Sequence, residues 1–474
     1  MNFTKTMNFT KIVPKLKLFA VLCVLAFPIP NSATAEPNEQ AAAKPNILFI
    51  LMDDLGYADC GFSGGKVINT PNLDKLASGG AVLESLYVQP VCSPTRAALM
   101  TGRYATRTGV YTVVRPHAKW GLPLSERTLA SALKEAGYET AITGKWHLGE
   151  FDRAYLPTSR GFDHQYGHYF GALDYDTHLR DGSHDWYRDD KEVKEEGYTT
   201  HLLAREACKL IAEKDKSKPL FLYVPFNAVH GPLMVPESYL KPYSELKGLR
   251  QKLAGMLSAA DEAIGQIIDA LEKAGLRENT LIVFSSDNGG PKPGENTPLR
   301  GFKGSIYEGG VRAAGFVNWP GHIPSGVTIK QPMHTVDWYP TLVKLAGGSL
   351  NQDTPLDGKD VWPMLAEGKT SPHTAILSVQ TPARAAVRMG DWKLIMNGSG
   401  NIEDALPETA PELKRGAKRK AKSAVKYELY NLATDVGESR ELSATEADRF
   451  AAMRDELTEL LKDAVPPANM AVTE

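Results

Sequence analysis

Asn46-Ile-Leu-Phe-Ile-Leu-Met-Asp-Asp54 decides the fold class. Its six consecutive apolar residues, Ile47 to Met52, do not alternate with polar ones, which is the pattern of a parallel strand covered on both faces. Two carboxylates close the run. The C-terminal ends of strands are where open α/β sheets gather ligands, and paired carboxylates there sit most easily beside a cation. Two later segments repeat the design. PLFLYVPFNAVH carries His230 at its exit, and TLIVFSSDNGG ends in Asp287 and Asn288.

Helical patterns separate these strands. Pro71 to Ser78 opens with Pro, Leu129, Leu133 and Ala136 recur at helical spacing before Gly137, and a helix is expected from Thr200 to Ala212. Leu257, Ala260, Ile264, Ile267, Ile268 and Leu271 stripe one face of a long helix from about Lys252 to Ala274. Strands alternating with helices predict an α/β sandwich around a large, mostly parallel sheet. A further strand is expected near Ala314 to Asn318, and a helix near Trp338 to Leu345. After Pro372 the texture shifts to the short strands ARAAVRMGDWKLIM and YELYNL and a helix from Thr445 to Lys462. A small antiparallel sheet with one packed helix is expected there. The chain thus divides into a large domain at 45–371 and a C-terminal subdomain at 372–474.

Lys11, Lys15 and Lys17 precede an apolar run, Leu18 to Phe27, and Ala33-Thr34-Ala35 offers a small-residue cleavage site. Residues 1–35 read as a signal peptide and 36–44 as a linker. The apolar run is too short to span a membrane stably, so export to periplasm or medium is expected. Cleavage removes four of the 54 basic residues and none of the 56 acidic ones, leaving a net charge of −6. That balance gives no global attraction to polyanions, and no nucleic-acid partner is expected. Cys60, Cys92 and Cys208 remain, an odd number without a disulfide-framework spacing. Seven Lys and Arg residues lie between Lys414 and Lys426. Such a run is a solvated loop or, alternatively, attracts an anionic polymer.

Three motifs bear polar chemistry. In CSPTR, Cys92 to Arg96, Pro94 suits a first helical turn and Ala97 to Met100 continue it. Cys92 then sits at a helix N-terminus, where free N–H groups favour a thiolate or a bound anion, and Arg96 faces the same place one turn on. Taken alone, a Cys-Pro helix start is more often an inert buried thiol. In GKWHLG, Lys145 and His147 point to one side of an extended segment, one as a point charge and the other as a proton shuttle. Lys303 lies in the Gly-rich stretch LRGFKG. Arg160 to Tyr187 is rich in His, Asp, Tyr and Gly without periodicity and reads as a long loop.

Taken together, DDLGY, CSPTRAALMTGRY, GKWHLG, a His after a strand, DNGG, LRGFKG and YEGGVR resemble the type I sulfatases over nearly the whole chain after residue 35. The resemblance implies an alkaline-phosphatase-like α/β sandwich. It implies that Cys92 is oxidised to formylglycine by a formylglycine-generating enzyme. Asp53, Asp54, Asp287 and Asn288, with residue 92, match the family's metal ligands for Ca²⁺, with Mg²⁺ possible. Arg96, Lys145, His147, His230 and Lys303 match its polar catalytic pocket. In the implied mechanism one hydroxyl of the aldehyde hydrate attacks sulfur, with Asp287 assisting its deprotonation. His230 protonates the leaving oxygen, and His147 takes the proton from the second hydroxyl as sulfate departs. LPLSERTL, LPTSRGFD and VPESYLKPY are most similar to the N-acetylgalactosamine-4-sulfatase branch, which implies a sulfated carbohydrate substrate. His178, Trp186 and Tyr187 are the expected sugar contacts. Two other readings stay open: a phosphate or phosphonate monoester hydrolase of the same superfamily, and a non-catalytic protein that binds sulfated glycans.

Overall fold

Odd and even residues of the Asn46–Met52 strand face two different cores. Ile47, Phe49 and Leu51 pack with Leu129, Leu133, Trp338 and Leu342, whereas Leu48, Ile50 and Met52 pack with Leu203, Leu257, Ile264 and Ile267. Every residue of the strand is buried, which is why it needs apolar side chains on both faces. The computed structural model describes residues 44–398 and 425–470. The expected signal peptide, residues 36–43 of the expected linker and all of the basic run but its last two residues lie outside the described residues. No helix of the described residues is long and apolar enough to cross a membrane.

Among the described residues the central sheet has ten strands, with Thr280–Ser286, Asn46–Met52, Leu220–Pro225, Glu139–Lys145 and His164–His168 adjacent at its middle and mutually parallel. Both flanks turn antiparallel. Gly315–Asn318 pairs antiparallel with Thr280–Ser286 and Ala81–Leu83, and Tyr187–Arg188 pairs antiparallel with His164–His168. The sheet is therefore mixed, with a parallel centre. Helices Pro71–Ser78, Thr199–Glu213 and Gly248–Lys273 cover one face, and Leu129–Glu135 and Trp338–Leu345 cover the other. The expected α/β sandwich is the observed architecture.

The stretch read as a long loop differs. Its His164–His168 segment is a buried central strand, and Leu179–Arg180 and Ser183–His184 form a small hairpin. HQYGH carries no apolar run because its burial rests on aromatic contacts, with Tyr166 edge-on to Trp186 at 5.1 Å and Trp186 stacked on His178 at 4.5 Å.

Ile376–Thr381, Arg384–Met389, Trp392–Asn397 and Lys426–Asn431 form the expected antiparallel sheet, and Met453 and Leu457 of the Ala447–Leu461 helix pack on it. Its apolar face, Val379, Val387, Leu394 and Leu429, shares one core with Ala98 and Tyr104. The small sheet thus buttresses the helix that begins at Cys92. A second tie is ionic. The buried Lys393 ammonium lies 2.8 Å from Glu308 Oε1 and 3.0 Å from Glu438 Oε1.

Candidate active site

Strand direction assembles the site. Asp53 and Asp54 follow one parallel strand, Asp287 and Asn288 follow a second, His230 lies beyond the end of a third, Lys145 ends a fourth and His168 ends a fifth. All five lie at the C-terminal edge of the sheet, where a parallel arrangement brings loops from separate strands together. Cys92–Thr101 forms the expected helix, with Val91 extended ahead of it and all ten residues buried. Gly102, at φ 67°, ends it.

Arg96 forks onto Asp287, with Nη2 at 2.8 Å and Nε at 3.1 Å from Oδ2, and donates through Nη1 to the Lys145 carbonyl at 2.9 Å. The Lys145 ammonium pairs with Asp53 Oδ2, and Arg96 Nη2 is 3.7 Å from the same oxygen. Lys303 Nζ is 2.6 Å from Asp54 Oδ1 and 3.5 Å from Cys92 Sγ. His230 Nε2 is 3.6 Å from Asp54 Oδ2. Burial would raise the Asp53 carboxyl, but Lys145, His230, Arg96 and Lys303 override it and hold the group well below the usual range. Asp287 goes the other way, pushed up to about 6 by burial and the Asp53 charge against Arg96 and Lys145. Burial, with Asp53 and Asp287, pushes the Cys92 thiol up to about 12 despite Lys145 and Lys303.

Two buried oxygens in this group, Asp53 Oδ1 and Asn288 Oδ1, have no protein partner. Donor atoms of Asp53, Asp54, Cys92 and His230 all lie within 4.8 Å of one another. The oxygens of Asp53, Asp54 and Asn288, two of them orphaned buried acceptors, suit a hard divalent cation. Asp287 presents Oδ2 to Arg96 and Oδ1 to the Asp54 N–H at 3.3 Å, while Asn288 Nδ2 donates to Asp54 Oδ1 at 2.7 Å.

The histidines are oriented by backbone carbonyls. His147 Nε2 donates to Val114 O at 2.9 Å, leaving Nδ1 as a buried acceptor without a partner. Burial, with Lys145 and Arg96, holds its basicity well below the ordinary value, so the ring stays neutral. His230 Nδ1 donates to Gly231 O at 2.6 Å, which turns Nε2 toward Asp54. Burial lowers this imidazole as well, against the pull of Asp53 and Asp54. Asp54 and His147 are non-glycine residues in the left-handed region, with φ 64° and 61°, and both lie at the site. The DNGG turn owes its glycines to contact. A Cβ on Gly289 would lie 1.8 Å from the Gly309 carbonyl, so the DNGG and EGGV turns meet backbone to backbone.

A cleft of about 320 Å³ opens onto these groups, lined by Cys92, His147, His230 and Lys303 together with Arg115 and Arg180. The ten polar residues singled out from the motifs converge here. The three loop residues do not. His178 and Trp186 are 1% and 0% exposed and stack on one another, and Tyr187 stacks on Tyr169 at 4.5 Å in the sheet. His168, Arg115 and Arg180 were not foreseen. Arg115 follows VYTVV shortly after the Cys92 helix, and Arg180 lies only two residues from His178, so position near the motifs was the available signal.

A family model described as Sulfatase matches residues 45–349. Mouse arylsulfatase J is 41% identical over 369 residues, covering 75% of this chain, and the match spans 62% of that relative's length. Mouse N-acetylgalactosamine-6-sulfatase is 33% identical over 74% of this chain and 72% of its own. The crystal structure of Ps i-CgsB in complex with k-i-k-neocarrahexaose superposes with a TM-score of 0.80 at 33% identity, covering 90% of this chain and 94% of the other.

Proposed function

This chain belongs to the sulfatase family, and from that premise we propose that it is an exported enzyme hydrolysing sulfate esters of a sulfated carbohydrate. One observation carries the reading: Cys92, at a buried helix N-terminus, lies within 4.8 Å of carboxylate oxygens of Asp53 and Asp54 and opens on a cleft with Lys303 at 3.5 Å. Oxidation of Cys92 by a formylglycine-generating enzyme would supply an aldehyde hydrate, whose two hydroxyls on one carbon provide the nucleophile and the means of expelling sulfate. Asp53, Asp54 and Asn288, with Asp287 beside them, would hold a divalent cation, Ca²⁺ by preference, which supplies charge stabilisation to the sulfate oxygens.

The chain's own groups do the rest. Lys303 and Lys145 hold negative oxygens as point charges, and Arg96 fixes Asp287 while adding positive field. His147 Nδ1, neutral and unpartnered, accepts a proton inside the cleft. His230, once protonated at Nε2 with Asp54 favouring the cation, gives its proton to the departing alcohol oxygen. Asp287, with its carboxyl near 6, is suited to help deprotonate the nucleophile near neutral pH. The relatives that act on or bind carbohydrates by name, N-acetylgalactosamine-6-sulfatase and the neocarrahexaose complex, support a sugar leaving group. Sulfate release from a panel of sulfated oligosaccharides and an aryl sulfate, with Cys92→Ala as control, tests the proposal. Phosphate or phosphonate hydrolysis with no sulfate release would replace it.

A further inference from the structure

The cleft holds two guanidinium groups with no part in the chemistry above. Arg115 is exposed, and its guanidinium has no hydrogen-bond or ion-pair partner among the described residues. Arg180 is half-buried, and its Nε lies 3.1 Å from Asp181 Oδ2, a carboxylate 73% exposed on the neighbouring residue. Such a pair is screened and weak. The terminal nitrogens of Arg180 have no protein partner among the described residues. Arg96, Arg188 and Arg312, in contrast, are each matched to a carboxylate.

The two arginines are held in one frame. Arg180 pairs in register with Ser183 across its hairpin, and Ser183 Oγ is 3.3 Å from His117 Nε2, two residues beyond Arg115. The His117 N–H donates to Glu150 Oε1 at 2.6 Å, and its ring stands edge-on to Phe170 at 5.1 Å. Beneath the hairpin the buried Asp185 accepts the Tyr169 and Phe170 N–H groups at 2.9 and 2.7 Å. Two guanidiniums with unpartnered terminal nitrogens, braced through one contact and lining the cleft of Cys92, suit a planar or tetrahedral anion. The ester sulfate has Lys303, 3.5 Å from Cys92 Sγ at the same cleft, to meet its charge.

We infer that Arg115 and Arg180 form a second anion subsite, so that the preferred substrate is a glycan carrying a further sulfate or carboxylate beside the ester that is cleaved. This deepens the sulfatase reading and rests on it. A lone aryl or sugar monosulfate leaves both arginines unmatched and is the poorer substrate.

The test compares matched oligosaccharides bearing one sulfate, two sulfates, or one sulfate beside a uronate carboxylate, using wild type, Arg115→Gln, Arg180→Gln and the double variant. The expected result is a wild-type preference in kcat/KM for a doubly anionic substrate of about tenfold or more, weakened by salt. The double variant loses most of that preference, chiefly through KM, and loses less on the monosulfate. The second-sulfate and uronate arms identify which anion the subsite takes. Equal losses on every substrate, or no wild-type preference, would overturn the inference. If no sulfate is released from any of them, the sulfatase reading fails. Calorimetric binding to Cys92→Ala protein then judges the subsite by itself. Tighter binding of the doubly anionic ligand that the arginine substitutions abolish supports it, and equal binding throughout overturns it.

Discussion

Gly171 backs onto the His147 ring so closely that a Cβ at position 171 would lie 2.5 Å from Nε2. That nitrogen anchors the ring to Val114 O and leaves Nδ1 a buried acceptor without a protein partner. Gly171→Ala must therefore push the ring off its carbonyl. The expected outcome is a fall in kcat of about tenfold or more with an unchanged circular dichroism spectrum. A variant with wild-type kcat would show that the orientation of His147 does not matter.

Lys393 reaches from the small sheet to Glu308, whose neighbour Gly309 meets the DNGG turn. Lys393→Met leaves the buried Glu438 carboxyl without a cation and Glu308 with Arg312 alone, and should destabilise the protein by about 3 kcal/mol in denaturant unfolding. Glu438→Gln should cost less, because burial already pushes that carboxyl up to about 7 despite Lys393. Equal losses would refute this ranking.

Glu206 sets an acid limb of stability. Burial raises its carboxyl, but His164 and Arg188 outweigh that and bring it down to about 2. A carboxyl lowered in the folded state stabilises fully above its unfolded value near 4.5, and that contribution drains away as pH falls from there toward 2. With Arg188 partly in solvent, about 1 kcal/mol is expected. Glu206→Gln should flatten thermal stability between those pH values, and an unaltered slope would exclude the effect.

Removal of divalent cations should abolish activity and lower Tm, since Asp53 Oδ1 and Asn288 Oδ1 are left buried without partners. Saturating Ca²⁺ at about one hundred times Kd should restore about 2.7 kcal/mol. Calorimetry with and without chelator measures both. A chelator-insensitive Tm together with full activity would count against a cation at this place.

The fold was legible wherever burial is written as apolar runs. Asn46–Met52, Leu220–Pro225 and Thr280–Ser286 announce themselves, and the carboxylates or histidine after them mark the edge where the candidate site lies. His164–His168 was hidden because its interior partners are aromatic and polar, with Asp185, His178 and Trp186 burying one another. The same burial explains why His178 and Trp186, plausible sugar contacts in a sequence, present no surface to the cleft, while Arg180 beside them does. Exposure depends on the Leu179–His184 hairpin, whose register no local pattern encodes.

The most direct measurement of the central claim is sulfate release by protein whose residue 92 has been established by peptide mass as formylglycine. Cys92→Ala and unconverted Cys92 protein serve as controls. Release that rises in proportion to the converted fraction and vanishes in Cys92→Ala is the predicted result. Release independent of the state of residue 92, or converted protein inert on every sulfate ester while cleaving a phosphate ester, would contradict the account.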